Sequence, residues 1–298
     1  MKTFLKLVVA LVVSLSATFA SAQALKPFIL GSKGPGDLAA KVEETKRALT
    51  GAGFTIVGTY NPYANTSLIV VTNDELKTTA AQSKMGGFGA AQRVSVVKVK
   101  DEVQVAYANP IYWSNVYRMG GDLKGTQEKL QAALGKVEEF GAKGLTAQQL
   151  RKYHYMMMMP YFDDPDRLIR HPSHEAAVKA VEDGLAAGKF GVTKVYRIDI
   201  PGKKEVVFGV AMKGEGKDKI MDDKFIMGEI DFRDVKSAAH LPYEVLVVDE
   251  FVYALSARFR IAASFPDLSM TGENSFMRIM ECPEAIKKAL AYTAGDKD

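Results

Sequence analysis

A helix followed by a strand occurs twice in the chain, and this repeat limits the folds that the sequence can adopt. The first copy, DLAAKVEETKRALTGAGFTIVGTY, starts at Asp37, and the second, SHEAAVKAVEDGLAAGKFGVTKVY, starts at Ser173. Each begins with a helix-capping residue, continues with apolar residues at helical spacing and ends in an apolar strand. Aligned without gaps, the two copies place Phe54 on Phe190. The repeat predicts two structural units of one kind.

Further apolar segments follow each copy in the same order. A second strand comes first, SLIVVT or EVVFGVAM, and each half later contains a predicted hairpin, VSVVKVKDEVQVAYANP or YEVLVVDEFVYALSARF. Between them lie NDELKTTAAQSK, which fits a helix, and GKDKIMDD, which fits a helix and precedes a predicted extra strand, KFIMGEIDF. The sequence therefore predicts an α+β fold of two related helix-strand-strand-helix-strand-strand units, with mostly antiparallel sheets covered by helices.

The first residues have the order of a secretory signal peptide. In MKTFLKLVVALVVSLSATFASAQ, two lysines precede an apolar run that ends in small residues, so we expect cleavage after Ala22. The predicted protein is periplasmic or secreted and has no stable membrane anchor after cleavage. The predicted divisions are a signal peptide (1–22), a first unit (23–121), a helical connector with a Met-rich stretch (122–170) and a second unit (171–298).

Charge and cysteine content restrict the partners and the source of stability. Removal of the leader takes away two of the 39 basic residues and no acidic residue, which leaves 37 basic residues against 35 acidic ones. This balance gives no field that favours nucleic acid, so we expect a small-molecule or periplasmic protein partner. Cys282 is the only cysteine, which excludes an intrachain disulfide.

The first half resembles a known bacterial family. The helix that leads into AGFTIVGTY, the later paired strands and the YANP that closes the second hairpin are similar to the domain-of-unknown-function family numbered 302. The resemblance covers Gly36 to Met119 and, more faintly, Ser173 to Met270, where SARF stands in place of Asn109-Pro110. It implies a small α+β domain that is often secreted. No biochemical role comes with it, so no catalytic residue is carried over.

The segment LRKYHYMMMMPYF allows two interpretations. A capping-box pattern starts a helix at Thr146, and Pro160 ends it. In the main interpretation, the methionines form an adaptable hydrophobic joint between the two units. In the alternative, helical spacing places His154, Met157 and Met158 on one face, where an imidazole and two thioethers would bind copper, as Cu(I), or another soft metal.

An aromatic cluster follows the first hairpin. Tyr112, Trp113, Tyr117 and Arg118 lie within ANPIYWSNVYRM, and Trp113 is the only tryptophan. Amphipathic rings beside a cation suit the wall of a small-molecule pocket, so these four residues are the candidate ligand-binding site. Packing of a closing helix against the core is the competing interpretation.

Strong catalytic motifs are absent from the sequence. The glycine-rich KMGGFGAAQR is the closest approach to an anion-binding loop, but it lacks the strand-loop-helix setting of such loops. We therefore expect a non-catalytic binding protein of unknown ligand, with no cofactor. The alternatives are copper or other soft-metal handling through His154 and the Met cluster, and a hydrolase-type enzyme whose site is assembled from separated residues.

Overall fold

The structure is a computed structural model that describes residues 24–297, and the predicted signal peptide lies outside this part of the chain. The described residues form two antiparallel sheets, of six and five strands, and nine α-helices, which confirms the α+β prediction. No described helix has the length and apolar content needed to span a bilayer.

The first unit consists of five strands and three helices that follow the predicted order closely. Their bounds are β1 (Phe28–Pro35), α1 (Leu38–Gly51), β2 (Thr55–Tyr60), β3 (Thr66–Thr72), α2 (Asp74–Ala81), β4 (Gln92–Val99), β5 (Glu102–Ala108) and α3 (Pro110–Val116). Side chains of Asp37, Asn73 and Asn109 accept a hydrogen bond from a backbone N–H in the first turn of α1, α2 and α3, respectively, which fixes where each helix begins.

The connector and the second unit complete the chain. The connector contains α4 (Lys124–Leu134), β6 (Glu138–Phe140) and α5 (Ala147–Arg151). The second unit contains β7 (Asp166–Arg170), α6 (His174–Ala186), β8 (Val192–Asp199), β9 (Glu205–Met212), α7 (Asp223–Ile230), β10 (Tyr243–Val248), β11 (Phe251–Ala254), α8 (Ala257–Ser264) and α9 (Cys282–Thr293). Strand β6 joins the first sheet and β7 the second, so the predicted connector range, 122–170, contributes to both sheets.

The strand order is the same in the two units. The first sheet has the order β2-β3-β4-β5-β1-β6, and the second, read from its opposite edge, has the order β8-β9-β10-β11-β7. Every pairing is antiparallel. The late hairpins both turn through a residue with positive φ, Lys100 at 54° and Asp249 at 50°. The two units therefore share one topology.

Each unit begins with a strand that the sequence pattern did not predict. β1 and β7 precede the first helix of their units and pair with β5 and β11, so the unit is strand-helix-strand-strand-helix-strand-strand-helix. In β7 only Leu168 is buried, and the segment is a strand because it pairs with β11.

The prediction of an extra strand at KFIMGEIDF is wrong, because this segment forms most of α7. The Asp222 side chain accepts hydrogen bonds from the N–H groups of Lys224 and Phe225, which caps the helix. Ile226 and Ile230 are four residues apart and both buried, as a helix face requires.

The two units share a core between their sheets. The outer face of the first sheet packs against α1 and α4, with Leu49 and Leu130 buried there. The outer face of the second sheet packs against α6 and α9. The inner faces meet in a third cluster, which includes Trp113 of α3 and Phe259 of α8. Because this shared cluster is apolar and buried, we expect the units to unfold together.

Candidate functional site

The aromatic residues predicted to form a pocket belong to the shared core. Tyr112, Trp113 and Tyr117 are each at most 2 % exposed. Trp113 Nε1 donates to the carbonyl of Pro27 at 3.0 Å, and the Tyr112 hydroxyl donates to the carbonyl of Ala263 at 2.7 Å. The rings are sealed and their polar groups are bonded within the chain, so the predicted open pocket wall is not present here. Packing of the closing helix α3 explains the cluster.

Arg118, the fourth predicted residue, lies at the surface. Its Nη1 forms an ion pair with Asp163 Oδ2 at 2.6 Å, and this hydrogen bond lowers the pKa of the Asp163 carboxyl. The pair joins the end of the first unit to the segment before β7. Arg118 therefore makes an intramolecular contact and is not grouped with the three buried rings.

A buried ionic cluster lies at the interface of the two units. Glu244 of β10 accepts a hydrogen bond from Arg93 of β4 at 2.9 Å, and its other oxygen is 3.3 Å from Arg260 Nε in α8. All three side chains are at most 4 % exposed. Both guanidinium groups lie over the Trp113 ring, at 4.9 and 5.5 Å from its centroid. The cluster has no local signature in the sequence, because Arg93 and Glu244 are 151 residues apart.

A histidine and a serine meet beside this cluster, which bears on the hydrolase alternative. His240 Nδ1 is 2.7 Å from Ser264 Oγ, and its Nε2 is 3.1 Å from the Tyr243 hydroxyl. Burial, together with the nearby Arg260 and Arg93, holds the pKa of His240 well below its usual value. His240 and Ser264 are fully buried, so a substrate has no access to the pair in this conformation.

Three carboxyl groups have raised pKa values, and burial is the main cause in each. Asp223, with a pKa of about 8, accepts from the Met212 N–H and lies 3.4 Å from the Tyr60 hydroxyl of the first unit. Asp231, with a pKa of about 7, accepts from the Ser237 N–H. These contacts lie inside the fold.

The third carboxyl belongs to Glu205, and it occupies the glycine-rich loop. The Gly87 N–H donates to Glu205 Oε1 at 2.6 Å, and Phe88 and the neighbouring glycines are buried. The anion that this loop binds is therefore a side chain of the second unit. Within KMGGFGAAQR, Gly86–Gly89 form a short 3-10 helix.

The Met-rich segment leaves its helix early. The capping box at Thr146 is present, but α5 ends at Arg151, so the prediction of a helix to Met159 is wrong. Met157 and Met158 are 83 % and 94 % exposed, so they do not form the expected buried joint. The helical spacing that was to align His154 with these methionines is therefore absent.

Two tyrosines account for this change of direction. The Tyr153 hydroxyl donates to the carbonyl of Ala262 in α8, and the Tyr155 hydroxyl donates to the carbonyl of Leu268, each at 2.8 Å. These bonds hold the chain against the second unit from residue 153 onward. Long-range contacts thus override the local helical pattern.

An open groove lies where the connector meets the second unit. Its volume is about 560 Å³, within the range of small-molecule sites. Connector residues between Ala142 and Tyr155 form one side, and Pro266 and Asp267 form the other. The Asp267 Oδ2 atom accepts a hydrogen bond from the Lys143 N–H at 2.8 Å, which holds the two sides together. We call this the connector groove.

Polar groups with different roles line the connector groove. His154 borders it, and the Lys152 ammonium has no hydrogen-bond or ion-pair partner among residues 24–297. The side-chain amide of Gln148 is also without a partner in this part of the chain. Leu145 and Pro266 add apolar surface. The groove thus offers a cation, the Asp267 carboxylate and an amide beside apolar contacts.

A second groove, of about 840 Å³, lies on the outer side of the second unit, beside α9. Phe190 is 53 % exposed there and stacks on Tyr292 with a centroid distance of 4.6 Å. The groove is lined by residues of one unit alone, and its charges are mixed, with Arg258 and Lys288 near Glu281 and Glu284. It shares no residue with the candidates from the sequence.

Clusters of the commonest metal-binding side chains are absent from the described residues. Across residues 24–297, no group of three or more His, Cys, Asp or Glu side chains is arranged to hold a metal ion. Thioether donors are a separate class, which makes the exposed methionines relevant to soft metals.

Comparison with known proteins assigns no family. No family model, curated protein or solved structure matches the chain.

Proposed function

We propose that the chain is an exported, non-catalytic binding protein that holds a small polar organic molecule in the connector groove. The observation that carries the proposal is the meeting of polar groups in an open groove at the junction of two units, where Lys152 and Gln148 have no side-chain partner among the described residues. Ligand sites favour such junctions, where separate elements supply apolar walls and a few oriented polar groups. Lys152 and Asp267 stand on opposite elements of the groove and suit a ligand with both an anionic group and a donor group.

The placement of the perturbed ionisable groups supports binding rather than catalysis. General acids and bases need contact with a substrate, and enzymes usually place groups with shifted pKa values in a cleft. Here Asp223, His240 and Glu205 are buried and bonded inside the fold, and none of them lines the connector groove. Their shifted pKa values are explained by packing between and within the units.

The shared topology supports a proposal about origin. We propose that the two units are diverged copies of one ancestral domain. The equal strand order and the matching late hairpins favour it. A relative with a single unit that aligns with both halves would support duplication, whereas relatives whose halves align only with their own counterparts would count against it.

Native mass spectrometry of the exported protein tests the binding proposal. The protein is isolated from the periplasm of an expressing bacterium without denaturation, and its intact mass shows both the cleavage site and any retained molecule. We expect a chain that starts at Gln23 and carries an organic adduct that is released on unfolding. A mass that retains residues 1–22 would contradict export with cleavage.

Matched variants locate the adduct. Lys152→Ala and Asp267→Asn remove the two charges of the groove and should abolish or strongly reduce retention. Lys129→Ala is the control, because Lys129 is also exposed and unpartnered in the described chain but lies on α4, outside the groove. Equal retention by all three variants, or a wild-type protein with no adduct, would refute the groove as the binding site.

A further inference from the structure

Three consecutive methionines are exposed on one turn, and the fold gives them no packing role. Met156, Met157 and Met158 are 46 %, 83 % and 94 % exposed, whereas Met119 and Met212 are each 2 % exposed in the core. Exposed side chains add no hydrophobic stabilisation to the fold, and a contiguous patch of exposed apolar side chains usually marks a site of interaction. We call residues 156–159 the methionine turn.

The backbone of the methionine turn positions the imidazole of His154. The Met159 N–H donates to the carbonyl oxygen of Met156 at 3.0 Å, which closes the turn, and Met158 lies at its corner with φ of 69°. His154 Nδ1 is 2.8 Å from the same oxygen. Stacking of Tyr161 on the imidazole, with a centroid distance of 4.3 Å, holds the plane of the ring.

This hydrogen bond selects one tautomer of the neutral imidazole. A carbonyl oxygen only accepts, so Nδ1 carries the proton and Nε2 keeps a lone pair. Histidines that bind metals usually donate their other ring N–H to a carbonyl or a carboxylate in this way. In this tautomer the Nε2 lone pair of His154 is available to a metal ion.

The donors around the turn are soft, and the nearby oxygen donors are engaged. The Asp163 carboxylate is paired with Arg118, and Asp164 Oδ2 accepts a hydrogen bond from the Tyr161 N–H at 3.1 Å. Thioether and imidazole ligands favour Cu(I), while carboxylate and carbonyl sites favour hard cations. The unbranched side chains of Met157 and Met158 are 83 % and 94 % exposed, so they can change rotamer and turn their sulfur atoms toward the ring.

We propose that His154 Nε2 and the thioethers of Met157 and Met158 bind one Cu(I) ion per chain. The site shares His154 with the border of the connector groove, but it does not depend on Lys152 or Asp267. The prediction from sequence relied on a helical face, whereas this proposal relies on a turn that closes beside a fixed imidazole.

Competition for Cu(I) with bicinchoninate, under anaerobic and reducing conditions, measures the affinity. We expect the wild-type protein to withdraw one equivalent of Cu(I) from the coloured chelator complex. The Met157→Leu/Met158→Leu variant keeps the volume of both side chains but lacks two of the three proposed ligands. It should bind at least about 100-fold more weakly, because loss of a group that only hydrogen-bonds to a ligand already costs about 10- to 100-fold. His154→Ala should show a similar loss.

The matched control is Met277→Leu/Met280→Leu, because these methionines are also exposed, at 58 % and 55 %, but lie elsewhere on the surface. It should bind Cu(I) as the wild type does. Circular dichroism verifies that every variant is folded. Equal affinity of the two double variants, or no competition by the wild-type protein, would overturn the proposal.

A second measurement observes the sulfur ligands directly. Ag(I), a redox-stable substitute for Cu(I), is titrated into protein labelled with ¹³C at the methionine methyl groups. Only the resonances of Met157 and Met158 should shift at one equivalent. Equal shifts at Met277 and Met280 would indicate nonspecific thioether binding and would refute the site.

Discussion

Replacement of Glu244 by Gln should strongly destabilise the protein. The Glu244 carboxylate contacts both Arg93 and Arg260, and the three side chains are almost fully buried. Glu244→Gln keeps the shape of the side chain but leaves two buried guanidinium groups without their carboxylate. Removing one partner of a buried ion pair costs about 3–5 kcal/mol, because the remaining charge stays desolvated.

Urea unfolding of the mature protein measures this cost. Trp113 is the only tryptophan and lies beneath both guanidinium groups, so its fluorescence reports on the cluster itself. With an m-value of about 3 kcal/mol/M, the unfolding midpoint should fall by roughly 1–2 M. Far-UV circular dichroism should give the same midpoint if the two units unfold together.

The control for this experiment is Asp183→Asn, which breaks an exposed pair. Lys179 and Asp183 are 2.6 Å apart on α6, but their side chains are 75 % and 65 % exposed. Loss of this exposed ion pair should change the free energy of unfolding by less than about 0.5 kcal/mol. If Glu244→Gln destabilises the protein no more than this control does, the buried cluster is not a source of interface stability.

Three further predictions concern buried groups. Folding raises the pKa of Asp223 from 3.8 to about 8, so between about pH 4 and pH 8 the folded state holds a proton that the unfolded state has lost. The contribution of Asp223 to stability should therefore fall as the pH rises through this range, and the melting temperature of Asp223→Asn should decline less over the same range. Gly58→Ala should lower the free energy of unfolding by about 1–3 kcal/mol, because the added Cβ would lie 2.3 Å from the carbonyl oxygen of Val195. Gly34→Ala is the control in urea unfolding and should be nearly neutral, because its Cβ would stand in open space. Cys282 is buried, and its burial raises the thiol pKa to about 12, so iodoacetamide at pH 8 should label only unfolded protein. Labelling at equal rates in folded and unfolded chains would contradict the burial of this thiol.

Elements with a strong local signal were predictable from the sequence. The helices that follow Asp37 and Ser173 begin at capping residues and bury one apolar face, and both were placed correctly. The capping box at Thr146 was also correct, because its hydrogen bonds are local. The order of the later strands followed from hydrophobic pattern and turns alone.

Elements that depend on distant contacts were not predictable. β7 has one buried residue, Leu168, and becomes a strand by pairing with β11. Asp164 and Pro165, which precede it, form a pattern that is typical of a helix start. α5 ends early because Tyr153 and Tyr155 bond to carbonyls of the second unit. The pair between Arg93 and Glu244 likewise exists only after the two sheets meet.

The predicted site residues separate according to the same principle. Tyr112, Trp113 and Tyr117 have the composition of a ligand pocket, but composition does not determine which side of a helix faces the core. His154 was singled out because helical spacing placed it beside Met157 and Met158, although the helix ends before these residues. Its groove could not be foreseen, since Pro266 and Asp267 come from a loop more than a hundred residues away. A search for chemistry in the sequence identifies donors, while the fold decides which of them reach solvent.

The candidate sites lie where the two units stop being equivalent. After α3, the first unit continues into the helix α4, which covers the outer face of its own sheet. After α8, the second unit also continues into a helix on the outer face of its sheet, α9, but a longer segment, residues 265–281, comes first. Pro266 and Asp267 of this segment form a wall of the connector groove. The connector lies against this segment, since the Lys143 N–H donates to Asp267 Oδ2 and the Tyr155 hydroxyl donates to the carbonyl of Leu268. The connector groove and the exposed methionine turn therefore both belong to segments outside the strand order that the two units share.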